Sequence, residues 1–214
     1  MREKIHSVLT ALLTALSVFT GAIALPLLLR PFFHWHVDFL HLAEKTGISR
    51  ELIFKAYDEV MDYCLGLRHD FAAGGLPFSP SGADHFADVR GLVVLNMSLL
   101  AASLLALFAL WLYRHRAGFA CFRFLGRSPG FWGAAGLALT GTVTGTLAAL
   151  DFNRAFIIFH RLFFPGKINW YFDPFTDPVV LILPPEFFRD CALLILISML
   201  AACAVLIWTG RGKK

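Results

Sequence analysis

Residues 84–90 read DHFADVR and residues 159–161 read FHR, so a histidine stands among charged neighbours at two places far apart in the chain. An imidazole ordinarily titrates near pH 6.5, and can therefore take up and return a proton near neutrality. If His85 and His160 were held together, one could accept a proton from an attacking nucleophile while the other protonated a leaving oxygen. Asp84, Asp88, Arg90, Asp151, Asn153, Arg154 and Arg161 lie close to one histidine or the other in sequence. They are candidates for binding substrate, orienting the rings or donating to an oxyanion. A single histidine beside an apolar segment commonly does no more than contact lipid headgroups. Two that converge with carboxylates and arginines mark a candidate functional site.

Whether they converge depends on the elements that carry them. DHFADVR abuts GLVVLNMSLLAASLLALFALWLY, in a chain that is 57% hydrophobic and only 16% charged. Its apolar residues form long blocks at 8–29, 91–113, 131–150 and 191–208, each sufficient to cross a hydrocarbon core of roughly 30 Å as a helix. The fold class expected is therefore an all-α integral membrane protein with four transmembrane helices, formed as one membrane domain over 1–214. The opening MREK and the following apolar run also fit a secretory signal peptide. The run is longer than a typical signal core and three further spans follow, so retention as a first span is expected.

Basic residues in short flanks set orientation. Arg2 and Lys4, then Arg114, Arg116, Arg123 and Arg127, then Arg211, Lys213 and Lys214 all fall on one side of a four-span layout. That side is expected to be cytoplasmic, with both termini and the 114–130 loop. Residues 30–90 and 151–190 then face outward and are expected to form an extracellular cap. The formal net charge of +4 reflects this asymmetry and suits anionic headgroups, not nucleic acid. In this layout span two runs inward from Gly91 and span three outward to Leu150. His85 and His160 are thereby brought to one depth, at the boundary between lipid and the outer loops.

The outer loops carry structure of their own. In TGISRELIFKAYDEVMDYCLG (46–66), Leu52, Ile53, Ala56, Tyr57, Val60 and Tyr63 recur at helical spacing, Thr46 or Ser49 can cap the start, and Gly66 follows the end. An amphipathic helix lying on an apolar surface is expected there. The 151–190 loop is dense in phenylalanine and interrupted by five prolines, at 165, 174, 178, 184 and 185, which forbid one long helix. Its aromatics read either as an interfacial belt or as the wall of an apolar chamber for lipid-like substrates. Gly141 and Gly145 in GTVTG allow close approach of another helix. HWHVDFLH places His34, His36, Asp38 and His41 at spacings that imitate a metal site, although interfacial polar residues are the commoner explanation. Cys64, Cys121, Cys191 and Cys203 form no CxxC pair, so neither a disulfide framework nor a zinc–thiolate site is expected.

FSPSGADHFADVRGLV (78–93) and FHRLFFPGKINWYFDPFTDPVVLILPPEFF (159–188), together with the 46–66 helix, resemble the lipoprotein intramolecular transacylases, a family of bacterial membrane enzymes. The likeness covers most of the chain in order, but HWHVDFLH stands outside it. The resemblance implies four transmembrane helices with an extracellular cap and two catalytic histidines, which fall on His85 and His160. It adds Trp170, Tyr171 and Asp177 as candidate substrate contacts. The implied reaction moves the sn-2 acyl chain of a diacylglyceryl-modified lipoprotein to the α-amine of its own N-terminal cysteine, in the bacterial cell membrane. An ester-to-amide exchange runs downhill, so no cofactor is expected, and the partners are the lipoprotein substrate and membrane lipids. Rival readings are a membrane lipid hydrolase, an acyltransferase with an external acceptor, and a non-enzymatic metal-binding scaffold centred on the 34–41 cluster.

Overall fold

The computed structural model describes residues 1–211; Lys213 and Lys214 of the basic C-terminus lie outside the described residues. Among the described residues nine helices occur in order: α1 (Arg2–Leu28), α2 (Arg30–Phe39), α3 (Leu42–Thr46), α4 (Arg50–Cys64), α5 (Pro80–Ala117), α6 (Pro129–Leu150), α7 (Phe152–Phe163), α8 (Val179–Ile182) and α9 (Pro185–Thr209). No strand is present among the described residues, where an isolated bridge joins Phe124 to Arg127. Of these helices, α1, α5, α6 and α9 are long and apolar enough to cross a membrane. At most 17% of the most apolar stretch of any of them is buried by the chain itself. Apolar surface left uncovered on this scale suits hydrocarbon and not water. The protein is an all-helical, multi-pass membrane protein.

The chain divides into two compact units. The first comprises Met1–Leu25, Asn96–Ala149 and Leu193–Lys214. Within it, Ala22, Ala134, Met199 and Cys203 form a small buried core. The GTVTG glycines make room for α9: a Cβ on Gly145 would lie 2.6 Å from Leu196 Cδ2, so its absence lets that side chain pack against α6 as it does. Polar groups pair across helices, as lipid requires. Ser17 donates to Ser103 at 2.8 Å, Asn96 Nδ2 to the Thr20 carbonyl at 3.1 Å, and His6 Nε2 to the Leu110 carbonyl at 3.0 Å.

The second unit comprises Pro26–Leu95 and Leu150–Ala192, and holds both candidate histidines. Its core is aromatic and β-branched: Phe33, Ile53, Val60, Val179 and Ile182 are almost fully buried, and Phe33 stacks on Tyr57 with ring centroids 3.7 Å apart. The expected 46–66 helix is α4, begun by Ser49, whose hydroxyl accepts from Leu52 N at 3.3 Å. It buries Ile53, Ala56, Tyr57, Val60 and Tyr63, members of the stripe read from spacing, while Leu52 stays half-exposed.

Candidate active site

DHFADVR is not a loop leading into a span. It forms the second and third turns of α5, eleven residues of which precede Gly91. Ser79 starts this helix, accepting from Gly82 N at 2.9 Å, with Pro80 at the first helical position, where a missing N–H is harmless. Asp177 ties the start to the 159–188 segment, accepting from Ser79 N at 2.8 Å and from the Thr176 hydroxyl at 2.7 Å. Burial disfavours the Asp177 carboxylate, but these bonds outweigh it and hold its pKa below the usual value. Gly82 is required here because a Cβ would meet that carboxylate.

His160 sits in the last turn of α7. Asp151 caps that helix, accepting from Arg154 N at 2.9 Å. The His160 ring hydrogen-bonds the Phe156 carbonyl through Nδ1 at 2.8 Å. A carbonyl only accepts, so Nδ1 carries the proton, and in the neutral ring Nε2 keeps its lone pair.

The two rings meet. His85 and His160 lie with centroids 5.8 Å apart and planes 28° from parallel, 6% and 7% exposed respectively. Aromatic side chains wall them in: Phe164 and Phe172 lie 5.0 and 5.4 Å from His85, and Phe156 and Trp170 lie 4.2 and 4.6 Å from His160. Trp170 is itself fixed by its Nε1–H bond to the Lys167 carbonyl at 3.2 Å.

Both histidines lie outside the apolar 91–113, 131–150 and 191–208 stretches, and both titrate below the ordinary value. Burial pushes His85 down to about 4, the His160 ring and the Lys167 cation act the same way, and Asp88 and Asn169 act against them. Burial also lowers His160, opposed by its bond to Phe156. At neutral pH the pair is uncharged, and two stacked imidazoles repel a second proton once one has been taken up.

Beside His85 on α5, Asp88 pairs with Lys167 and accepts from Asn169 Nδ2 at 3.2 Å. Burial works against the Asp88 charge, but Lys167 and Asn169 more than compensate and lower its pKa. Asp88, Lys167 and Asn169, with Ser81, Asp84, Ala87 and Ile168, line an open cavity of about 530 Å³ next to the imidazole pair.

Other candidates from sequence fall elsewhere. Arg90 points away, donating to the His69 carbonyl at 3.1 Å and lying over the Tyr63 ring. Asp151, Asn153 and Arg154 begin α7 while His160 ends it, so the roughly 1.5 Å rise per residue puts Arg154 about 9 Å along the axis from the ring. Arg161 is exposed, as is Tyr171, which stacks on Trp170 at 3.7 Å. Asp84 is exposed in the cavity wall, and Asp177 clamps the backbone instead of facing the imidazoles.

The alternative metal cluster does not assemble. His34 and His36, two residues apart on α2, project to different faces because a helix turns about 100° per residue. His34 stacks on Phe54, His36 bonds Asp190 at 3.1 Å, Asp38 bonds Arg50 at 2.7 Å, and His41 is exposed beside Glu44. No group of three or more potential ligands converges among the described residues. Of the hydroxyl and thiol groups nearby, Ser79 is used as a helix cap, burial raises the Cys64 thiol to about 12, and Ser81 lines the cavity beside Asp88.

Four helices long and apolar enough to cross a membrane, and a nearly buried pair of stacked imidazoles, define a polytopic membrane protein with a candidate active site. The sequence model of the family described as lipoprotein intramolecular transacylase Lit matches residues 8–188. The chain belongs to that family, and is an acyltransferase. Its fold is similar to that of the membrane integral lipoprotein intramolecular transacylase Lit of Bacillus cereus, with TM-score 0.86 and 22% identity over 97% of this chain and 94% of that one. Two variants of the Bacillus cereus protein, with a histidine replaced by arginine or by alanine, align with TM-score 0.80 and 21% identity over 97% of this chain and 90% or 91% of theirs. Among curated proteins, none matches the chain by sequence.

Proposed function

We propose that this transacylase moves the sn-2 acyl chain of a diacylglyceryl-modified lipoprotein onto the α-amine of its own N-terminal cysteine, with His85 and His160 as the catalytic residues. The observation that carries the reading is the stacked, nearly buried imidazole pair, 5.8 Å between centroids. That spacing lets both rings address one small reacting group.

The substrate ammonium, with a pKa near 8, first releases one proton to solvent; the neutral amine then loses a second as it becomes an amide, and the glyceryl oxygen must gain one to leave. Neutral rings suit this exchange. His160 Nε2 takes the proton from the amine as it attacks the ester carbonyl. The tetrahedral intermediate collapses, the bond from acyl carbon to glyceryl oxygen breaks, and the pair returns the proton to that oxygen. One proton enters and one leaves, so the pair ends as it began. Such proton transfer contributes typically about 10²–10⁴-fold. The intermediate's oxyanion needs positive charge nearby, and Lys167, close enough to depress the His85 pKa, is the cation we assign to it.

Amine and ester belong to one molecule, but the attack closes a ring of roughly eight atoms through a flexible thioether, which demands confinement. Phe156, Phe164, Phe172 and Trp170 supply it and exclude the water that would hydrolyse the ester. We read the basic flanks as setting both termini in the cytoplasm, which would put residues 30–90 and 151–190 at the outer face of the bacterial cell membrane.

The test is expression in a strain without other N-acylating enzymes, followed by mass spectrometry of lipoprotein N-terminal peptides. The active chain is expected to leave total mass unchanged while moving one acyl chain from glycerol to nitrogen. His85→Ala and His160→Ala are expected to leave the diacylglyceryl form. Full conversion by both correctly inserted variants would end the proposal, and release of free fatty acid would point to a hydrolase.

A further inference from the structure

His85 Nδ1 and Asn169 Oδ1 are both buried, and each is without a hydrogen-bond partner among the described residues. Buried polar atoms left unpaired are disfavoured, so two such atoms in one site call for a joint explanation. They are close in space. Asn169 bonds Asp88, and Asp88 follows His85 by three residues on α5, so both project from one helical face. Asn169 is also a direct neighbour of the His85 ring.

They are also complementary. A carboxylate only accepts, so Asp88 must face the NH₂ end of the Asn169 carboxamide, which leaves the oxygen as the free end. That oxygen only accepts, and an imidazole nitrogen that carries hydrogen can donate to it. With hydrogen on Nε2 instead, the Nδ1 lone pair would lie against an oxygen lone pair. Lys167 holds Asp88 from its other oxygen, so the carboxylate cannot turn freely.

We propose that Asn169 is a positioning residue for His85: a small rotation of its carboxamide brings Oδ1, unbonded as the side chain stands, to accept the Nδ1 proton in a chain running from Lys167 through Asp88 and Asn169, which fixes the tautomer and leaves Nε2 as the basic nitrogen. The inference rests on the reading of His85 as a proton carrier. His160 reaches the same state by other means, its Nδ1–H being held by the Phe156 carbonyl. Both rings then present bare Nε2 atoms, one from a helix backbone bond and one from a side-chain relay.

The experiment is two-bond ¹H–¹⁵N spectroscopy of the full-length protein in nanodiscs with labelled histidine, the His85 signals assigned by their loss in His85→Gln. The expected result is hydrogen on Nδ1 in the unaltered protein and a mixture or reversal of tautomers in Asn169→Leu. In that variant kcat is expected to fall roughly ten- to hundredfold with little change in KM, as suits one orphaned polar group in the site. Asn169→Asp, which sets a carboxylate beside the ring, is expected to raise by about one unit the pH at which the pH–rate profile steepens. Hydrogen on Nε2 of His85 in the unaltered protein would overturn the proposal, whatever the variants' stability. So would equal losses in both variants with unchanged tautomer and pH profile. The spectrum reads Asn169 without turnover, whereas full activity in His85→Ala would instead defeat the histidine mechanism itself.

Discussion

Acidification probes the imidazole pair directly. The substrate amine alone makes the rate fall tenfold per unit below pH 8, because only its neutral form attacks. The histidines must also be neutral to accept a proton. Rings titrating at 6.5 would add a second tenfold loss per unit below that value, and at pH 5.5 only roughly one-tenth of such rings would be neutral. Burial holds His85 at about 4 and lowers His160 as well. At pH 5.5 more than roughly nine-tenths of His85 therefore remains neutral. The log rate is expected to keep a single slope through pH 6.5 and to steepen only below it. The displacement of His85 from 6.5 to about 4 amounts to at most about 3 kcal/mol favouring the neutral ring. Stability follows the same sign. The unfolded chain binds the proton at 6.5 and the folded one does not until about 4, so stability is full above pH 6.5 and is lost as pH falls towards 4. Single-turnover conversion of a synthetic diacylated lipopeptide in nanodiscs, followed by mass spectrometry from pH 4.5 to 8.5, reads the profile. A second slope beginning at or above pH 6.5 would refute the reasoning.

Replacing His36 by Leu is expected to destabilise the second unit by about 1–2 kcal/mol, because it removes a bond at 3.1 Å to the part-buried Asp190 carboxylate, which keeps only the exposed Arg189 as partner. The assay is thermal unfolding in detergent, and an unchanged transition would count against the pair. Gly82→Ala is expected to cost about 1–3 kcal/mol and to slow turnover, since the new methyl meets Asp177 and comes within 3.2 Å of Phe172 Cε1, a wall of the His85 pocket. Gly91→Ala, inside α5 with nothing within 4 Å, is the control expected to keep the parent's turnover and to unfold no more easily, since alanine favours the helix by up to about 1 kcal/mol. Chelation is expected to leave turnover unchanged, because His34, His36, Asp38 and His41 have separate partners. A loss restored by a divalent ion would revive the metal reading.

Much of the architecture was legible because it is written in long periods. Four apolar blocks need no tertiary knowledge to be seen, and Ser49 with the 52–63 stripe announces α4 as a capped amphipathic helix. The convergence of His85 and His160 followed from counting spans. What escaped was settled by packing between segments. The start of α5 is masked in the sequence because it lies in GGLPFSPSG, rich in glycine and proline, although Ser79 followed by Pro80 is a helix-start signal. Asp151, Asn153 and Arg154 were grouped with His160 by proximity in sequence, but α7 spends that sequence distance as axial rise. Lys167 and Asn169 were missed because their partner, Asp88, is 79 and 81 positions away. A clue was present: GKIN interrupts a run of aromatics, and a lysine and an asparagine in such company invite the question of what they pair with. The HWHVDFLH spacing carried only a minor alternative, since metal-like spacing suggests convergence only while the backbone is extended or looped, and α2 is helical.

Transfer within one substrate molecule by the paired imidazoles is tested most directly by a crossover measurement with purified protein. Lipopeptides carrying an isotopically heavy sn-2 chain and a heavy peptide are mixed with fully light ones, and the N-acylated products are weighed. Products that are all heavy in both parts or light in both, formed by the unaltered chain and not by His85→Ala or His160→Ala, are expected. Products pairing a heavy chain with a light peptide, or unchanged conversion by the variants, would contradict it.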